Sequence, residues 1–399
     1  MRFLLHRQNL LMRPFRSALR VVMSFALLAM ATGAATGEEV GVSEDAILFG
    51  QAAALEGPSS ALGQRLRHGI VAAFTEINAK GGVHGRKLQL ISRDDGYDPD
   101  RSVVQTLRLI EDDKVFALIG AVGTPTAMAT IPITSARNIP FIGPFSGAGF
   151  LRDLELTNVA NIRASYGAES ETLIKHLTED RHFSRIGIFY QDDSFGRDGL
   201  AGVKNALARR GLELAAEGTF ERNTRAVSSA WRTIKRAEPE AIVMVGTYGP
   251  SAEFIKLAHR NGVYPTFANI SFVGATALAN ELGPEGEGVV VAQVVPFPWD
   301  RSIKLVADYQ AAQTAFDPTL APDFVSLEGY LSGRLAAAAL EKAGPNPTRA
   351  GLLRAIQDVG RFDISGSIVT VGIRAIETPP KVFLTVIQKD GTFRAIDRL

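Results

Sequence analysis

The chemistry open to this chain is bounded first by what its 399 residues lack. There is no cysteine, which excludes disulfides, thiolate metal sites and cysteine nucleophiles. The six histidines (6, 68, 84, 176, 182 and 259) form no close pair on a helix face, so no metal site is expected. The run "DDGYDPD" from Asp94 superficially offers calcium ligands but lacks the EF-hand spacing; it reads as a strand end, an Asp-Pro turn and a helix start. "GGVHGR" reads as a turn. No Gly-x-Ser-x-Gly elbow occurs, and no Ser/His/Asp set is suggested by motif. What remains are two glycine-rich corners, "LIGAVGTPTAMATIPI" from Leu118 and "MVGTYGPSAEFIKLA" from Met244. Neither carries Lys-Ser or Lys-Thr after its glycines, so neither is a nucleotide phosphate loop, and no cofactor is expected.

Each corner is an apolar run, then glycines, then a proline, then residues at helical spacing. That is a buried strand ending at the mouth of a helix. Thr124 before Pro125 fits an N-cap followed by the first helical position, where proline loses no needed N–H. Gly120 and Gly123 would let a ligand approach the backbone closely. In an open α/β sheet, ligands bind beyond the carboxyl ends of the strands, where helix N-termini present free N–H groups. Two such corners in one chain suggest two edges facing each other across a cleft.

The elements between the corners support this. "AILFGQAAAL", "KLQLISRDD", "VFALIGAV" and "IPFIGPFS" read as strands, with helical segments between them. The order restarts near Gly167 with "RIGIFYQDD", "LELAAEGTF", "AIVMVGTYG" and "TFANISFVGA". Nearly continuous apolar strands alternating with helices imply parallel sheets covered on both faces, hence an α/β chain of two doubly wound Rossmann-like lobes. Near the C-terminus "GSIVTVGI" and "KVFLTVIQKDGTF", separated by "RAIETPP", read as a hairpin-like addition. A composition of 46% hydrophobic and 21% charged residues is that of a globular protein.

The N-terminus differs. "MRFLLHRQNLLMRPFRSALR" carries five arginines and no acid, and the apolar "VVMSFALLAMA" and small residues follow, with Ala29 and Ala31 as a cleavage pattern. This describes a secretory signal peptide over about residues 1–36, too short in its apolar run to span a bilayer. Removing it takes 43 basic residues to 38 against 42 acidic ones, so the net charge moves from +1 to −4. A mildly acidic chain without a basic block is a poor partner for nucleic acid. With no cysteine to acylate, a periplasmic protein free of a lipid anchor is expected.

The stretch "GPSSALGQRLRHGIVAAFTEINAKGGVHGRKLQLISRDDGYDP", followed in order by "FALIGAVGT", "IPFIGPFSG", "IGIFYQDDSFGRDGLAG" and "FVSLEGYLSGRL", resembles periplasmic solute-binding proteins of the leucine/isoleucine/valine-binding type. These are the capture components of ABC importers. The resemblance implies a type I periplasmic binding fold: two lobes joined by three crossovers, closing by a hinge on a small-molecule solute, with an inner-membrane ABC permease as partner. It places the lobes at about 46–165 plus 297–362 and 166–296 plus 363–399, and implies a monomer without catalysis. Carried over residue by residue, the hydroxyl that holds a ligand carboxylate falls on Thr124. Further contacts fall on Phe145, Ser146 and Gly147 after "IPFIGP", on Leu62 in place of an aromatic, on Phe195 in place of a tyrosine, and on Thr247 with Tyr248 beside it. The acid that pairs with an amino acid's ammonium falls on Ser271. Either another acid (Glu56, Asp193 or Glu169) supplies the negative end, or the ligand has no ammonium; the second is favoured, because a serine does not replace a charge. Tyr166 and Arg163 lie near the first crossover, where hinge packing or a surface ion pair is expected of Arg163. A ligand sensor built on the same clamp stays open from sequence, and an enzyme on the fold is disfavoured.

Overall fold

The structure is a computed structural model and describes residues 39–399; the expected signal peptide lies outside the described residues. The chain begins with strand β1 (Ala46–Ala53), helix α1 (Ser60–Ala79), β2 (Lys87–Asp94), α2 (Pro99–Glu111), β3 (Ala117–Ile119), α3 (Thr124–Ala136), β4 (Phe141–Ile142) and β5 (Val159–Ala160). These strands form one parallel sheet in the order β2-β1-β3-β4-β5. β3 is entirely buried, as a parallel sheet covered on both faces requires. α2 starts where the acidic run predicts, with Asp98 accepting from the Arg101 N–H at 3.0 Å.

The pattern then repeats: α4 (Tyr166–Glu179), β6 (Ile186–Gln191), α5 (Ser194–Ala208), β7 (Ala216–Phe220), α6 (Ser228–Lys235), β8 (Ala241–Val245), α7 (Tyr248–Arg260), β9 (Thr266–Asn269), α8 (Ala275–Leu282) and β10 (Val290–Gln293). The parallel order β7-β6-β8-β9-β10 is the first sheet's order over again. Each lobe therefore reverses strand order beside β1 or β6, and the two glycine corners follow the strands across that reversal, β3 and β8. Such a switch point is where open α/β sheets bind ligands.

After β10 the chain returns to the first sheet with α9 (Lys304–Phe316), α10 (Phe324–Ala343) and α11 (Arg349–Val359). α10 packs closely along α1 because small residues meet there. A Cβ on Gly69 would lie 1.8 Å from the Ser326 carbonyl oxygen, and one on Gly329 would lie 2.1 Å from that of Leu66. Arg349 ties α11 to the sheet through the carbonyls of Phe116 and Val115, at 2.9 and 2.7 Å.

The C-terminal reading needs correction. β11 (Arg361–Ile364) and β12 (Ser367–Thr370) pair with each other, whereas β13 (Phe383–Ile387) lies antiparallel to β10 and carries β14 (Phe393–Ile396) at the edge of the second sheet. The two-residue turn Ser365-Gly366, both with positive φ, is the tight hairpin connection that the sequence reading passed over. "RAIE" folds as the short helix α12 (Ile373–Glu377). Burial of Leu384 and Ile387 against the second lobe draws β13 away from β12.

Candidate functional site

The corner after β3 sets the first wall of the cleft. Gly123, at φ 109°, turns the chain into α3, so Thr124 is the first helical residue and not the N-cap, and its side chain makes no capping bond. Its hydroxyl lies 2.8 Å from that of Ser146, in the loop after β4, and both residues are buried. Gly147 follows because no side chain fits: a Cβ there would lie 2.6 Å from the Tyr166 ring. The Tyr166 hydroxyl, beside Thr124 and Ser146, is buried without a well-aligned hydrogen bond. Burial pushes its pKa up to about 12, against the pull of Arg163, Thr124 and Ser146.

The second lobe closes on this wall with an aromatic plug. The run read as one long strand, "TFANISFVGA", ends its strand at Asn269 and turns through a 3-10 segment, Ser271–Val273. That turn aims Phe272 between Phe195, Phe145, Tyr97 and Tyr166, with ring centroids 4.5, 5.3, 5.9 and 6.4 Å away. Tyr97, at the end of "DDGY", holds a left-handed backbone (φ 58°) while fully buried, an unusual conformation for a bulky residue. Its hydroxyl accepts from Gln191 of the second lobe at 3.2 Å, and the Gly96 carbonyl accepts from Asn223 at 3.1 Å. Phe145 and Phe195 thus line the cleft together. Leu62 packs against the backbone at Gly274. Thr247 is buried without a capping bond, and the Tyr248 hydroxyl accepts from the Ala61 N–H at 3.4 Å. The lobes are closed on each other.

The charged end of the cleft centres on Arg163, which is 3% exposed and makes no surface pair. It donates to Glu328 of α10 at 2.8 Å and to the hydroxyl of Ser271, and its guanidinium lies 4.2 Å from the Phe145 ring centre. Ser271 in turn donates its N–H (2.7 Å) and hydroxyl (3.0 Å) to Glu169. Burial raises both carboxyl pKa values, that of Glu328 to about 7, although Arg163 opposes the rise. Of the other acids considered, Glu56 is exposed, while Asp193 caps α5 through the Phe195 N–H and accepts from Arg222 at 3.2 Å. Sequence reasoning missed Tyr97, Phe272 and Glu328. The first two stand at strand ends and could have been flagged by position; Glu328 lies in the second turn of the largely apolar α10, and only its rarity there as a buried acid marks it. Among the described residues no group of three or more His, Asp or Glu is placed to hold a metal, and no helix is long and apolar enough to cross a membrane.

Two switch points facing each other across a cleft are the layout of a two-lobed binding protein. Residues 46–380 match the family described as "Periplasmic binding protein", and the chain belongs to that family. A crystal structure of a "possible leucine/isoleucine/valine-binding protein" from Rhodopirellula baltica SH 1 is 37% identical with a TM-score of 0.83, covering 88% of this chain and 96% of that one. The Leu/Ile/Val-binding protein homolog 7 of Brucella abortus (strain 2308) is 26% identical over 67% of this chain and 68% of its own length. The Leu/Ile/Val-binding protein BraC3 of Rhizobium johnstonii is 23% identical over 82% and 87%. The family is one of substrate-binding proteins of the Leu/Ile/Val-binding type rather than of enzymes.

Proposed function

We propose that this protein captures a small carboxylate-bearing solute between its lobes in the periplasm and, closed around it, delivers it to an inner-membrane ABC permease. The observation that carries this reading is the convergence at the start of α3. Two buried hydroxyls, Thr124 and Ser146, face each other, Ser146 accepting besides only from the Ala148 N–H, and the Tyr166 hydroxyl beside them makes no well-aligned hydrogen bond. The first N–H groups of a helix have no intrahelical acceptor, and the helix dipole there favours negative charge. A carboxylate would satisfy these donors together. The aromatic lining of Phe145, Phe195, Tyr97 and Phe272 suits an apolar body on the solute, as small-molecule sites combine apolar walls with a few convergent polar groups.

Thermal unfolding of the mature protein against aliphatic and aromatic acids, with matched neutral amides as controls, tests this. A ligand at 100 times its Kd adds about 2.7 kcal/mol of stability. Acids that raise Tm while their amides do not are the expected result. Equal stabilisation by both, or by neither, would remove the carboxylate from the site.

A further inference from the structure

We propose that the hinge face carries a second binding site, for an aliphatic monocarboxylate, with Arg152 as the cation that receives its head group. The site is separate from the interlobe cleft and does not depend on the reading given above. A cavity of about 450 Å³ lies there between β5, the start of α4, α11 and the stretch that leads from β12 through α12 to Pro380. That volume falls within the ~300–1,000 Å³ of small-molecule sites. Leu151, Ile356 and Val371 are buried in its wall, while Leu154, Ile373 and Ile376 line it although about half exposed. Apolar side chains left in water around a concave surface are what a ligand's hydrocarbon part would cover.

The polar part is set by the 3-10 turn Gly149–Arg152. Arg152 donates to the carbonyl oxygens of Ala148 and Arg163, at 2.7 and 2.6 Å, and makes no ion pair with any described residue. The acids around it are turned elsewhere. Asp198 accepts from the Gly149 N–H at 3.2 Å, Glu169 takes both donors of Ser271, and the exposed Asp153 accepts from the Glu155 N–H at 3.0 Å. Arg163 also lines the cavity, but Glu328 and Ser271 already hold its guanidinium. Burial and the charge of Arg163 lower the Arg152 pKa to about 10, which leaves it cationic at neutral pH. A cation partly withdrawn from water without a counter-ion gains from an anion that reaches it. One such cation in a mostly apolar wall fits a monoanion with a hydrocarbon tail. A phosphate or a dicarboxylate would bring a second charge that this wall does not balance.

The test is titration calorimetry of the full mature chain with butanoate, hexanoate and octanoate, and with octanamide as the neutral control. Affinity should rise about 2–4-fold for each added CH₂ as the tail is buried. Octanamide should bind at least tenfold more weakly than octanoate. Thr124→Ala separates the two sites: octanoate binding at the hinge should survive it unchanged. Ile376→Asp, which puts a negative charge on a half-exposed side chain of the cavity, and Arg152→Met should each weaken octanoate at least tenfold. Arg152→Met also removes two ties to the backbone, so Ile376→Asp carries the test if that protein does not fold. Octanoate binding that Thr124→Ala abolishes and Ile376→Asp leaves unchanged would put the acid in the cleft and overturn the proposal. Equal affinity for octanamide, or no binding of any of the three acids, would overturn it as well.

Discussion

The two glycine corners are alike in sequence and unlike in what they do. After β3, Gly123 takes a conformation reserved for glycine, and Thr124 is left facing Ser146. After β8, Thr247 sits in ordinary extended backbone (φ −81°), and Tyr248 reaches across the cleft to the Ala61 N–H. One corner carries the hydroxyls that we assign to a ligand; the other clasps the opposite lobe. The difference follows from one residue before each helix. The glycine tightens the first corner against Tyr97, whereas the threonine leaves room for a long side chain at the first helical position.

Breaking the first corner should therefore cost far more than breaking the second. In Gly123→Ala the new Cβ would meet the Tyr97 ring at 2.3 Å, at a φ of 109° that alanine resists. Strain and overpacking together predict a loss of about 2–4 kcal/mol in urea unfolding. Gly246→Ala has ordinary φ, and its Cβ meets Phe220 and Ser251 at 3.1 Å, so a loss of about 1 kcal/mol is expected. Equal losses would mean that the two corners are mechanically the same.

Between the corners lies the Arg163 cluster, and it gives the next largest effect. The Glu328 carboxyl is raised from 4.5 to about 7 by burial, so the native state holds its proton where the unfolded chain has released it. Stability from this group is complete below about pH 4.5 and is lost as pH rises through about 7. Asp95, raised to about 6 by burial, acts with the same sign. The difference between wild type and Glu328→Gln isolates the glutamate: wild type should lose about 2 kcal/mol relative to the variant between pH 4.5 and pH 7.5. A constant difference across that range would show that Glu328 is ionised throughout.

Most of this architecture was legible because it rests on local signals. Apolar runs of strand length, Asp98 before Pro99, and glycines at strand ends all act within a few residues. The hydroxyl at Thr124 and the aromatics Phe145 and Phe195 were found through strand-end position and resemblance. What was not legible depends on long-range approach. Glu328 lies 165 residues beyond Arg163 in the chain and meets Ser271 and Glu169 only through it. The 3-10 turn that swings Phe272 into the cleft interrupts an apolar run whose composition says strand. The role of Gly147 emerges only when the Tyr166 ring is seen against it.

The comparison can be sharpened on binding rather than folding. Thr124→Ala removes a hydroxyl that we assign to the carboxylate, and should weaken an acid that raises Tm by about 0.5–1.5 kcal/mol, or up to ~3 if its lost bond was to a charge. Thr247→Ala, at the residue before α7 in the second lobe, removes a hydroxyl that makes no capping bond. Its effect on affinity should stay within about 0.5 kcal/mol. Calorimetry of both variants with one ligand checks the pair. If the two lose affinity equally, the hydroxyls are equivalent and the first corner has no special claim on the carboxylate.

The smallest expected effect belongs to the clasp. Tyr248→Phe deletes the acceptor that Ala61 uses across the cleft, a long bond at 3.4 Å whose donor is only partly buried. Water can reach that N–H once the lobes part, so the net loss should be only about 0.5–1 kcal/mol. Because the bond exists only when the lobes meet, the loss should fall on the closed state alone. Unfolding stability without ligand should then change little, while ligand release speeds up about 2–5-fold, the kinetic equivalent of that energy. Stopped-flow dissociation measures the release directly. An unchanged rate would make Tyr248 a packing residue whose hydroxyl contributes nothing to closure, and the second corner would lose the role that sets it apart from the first.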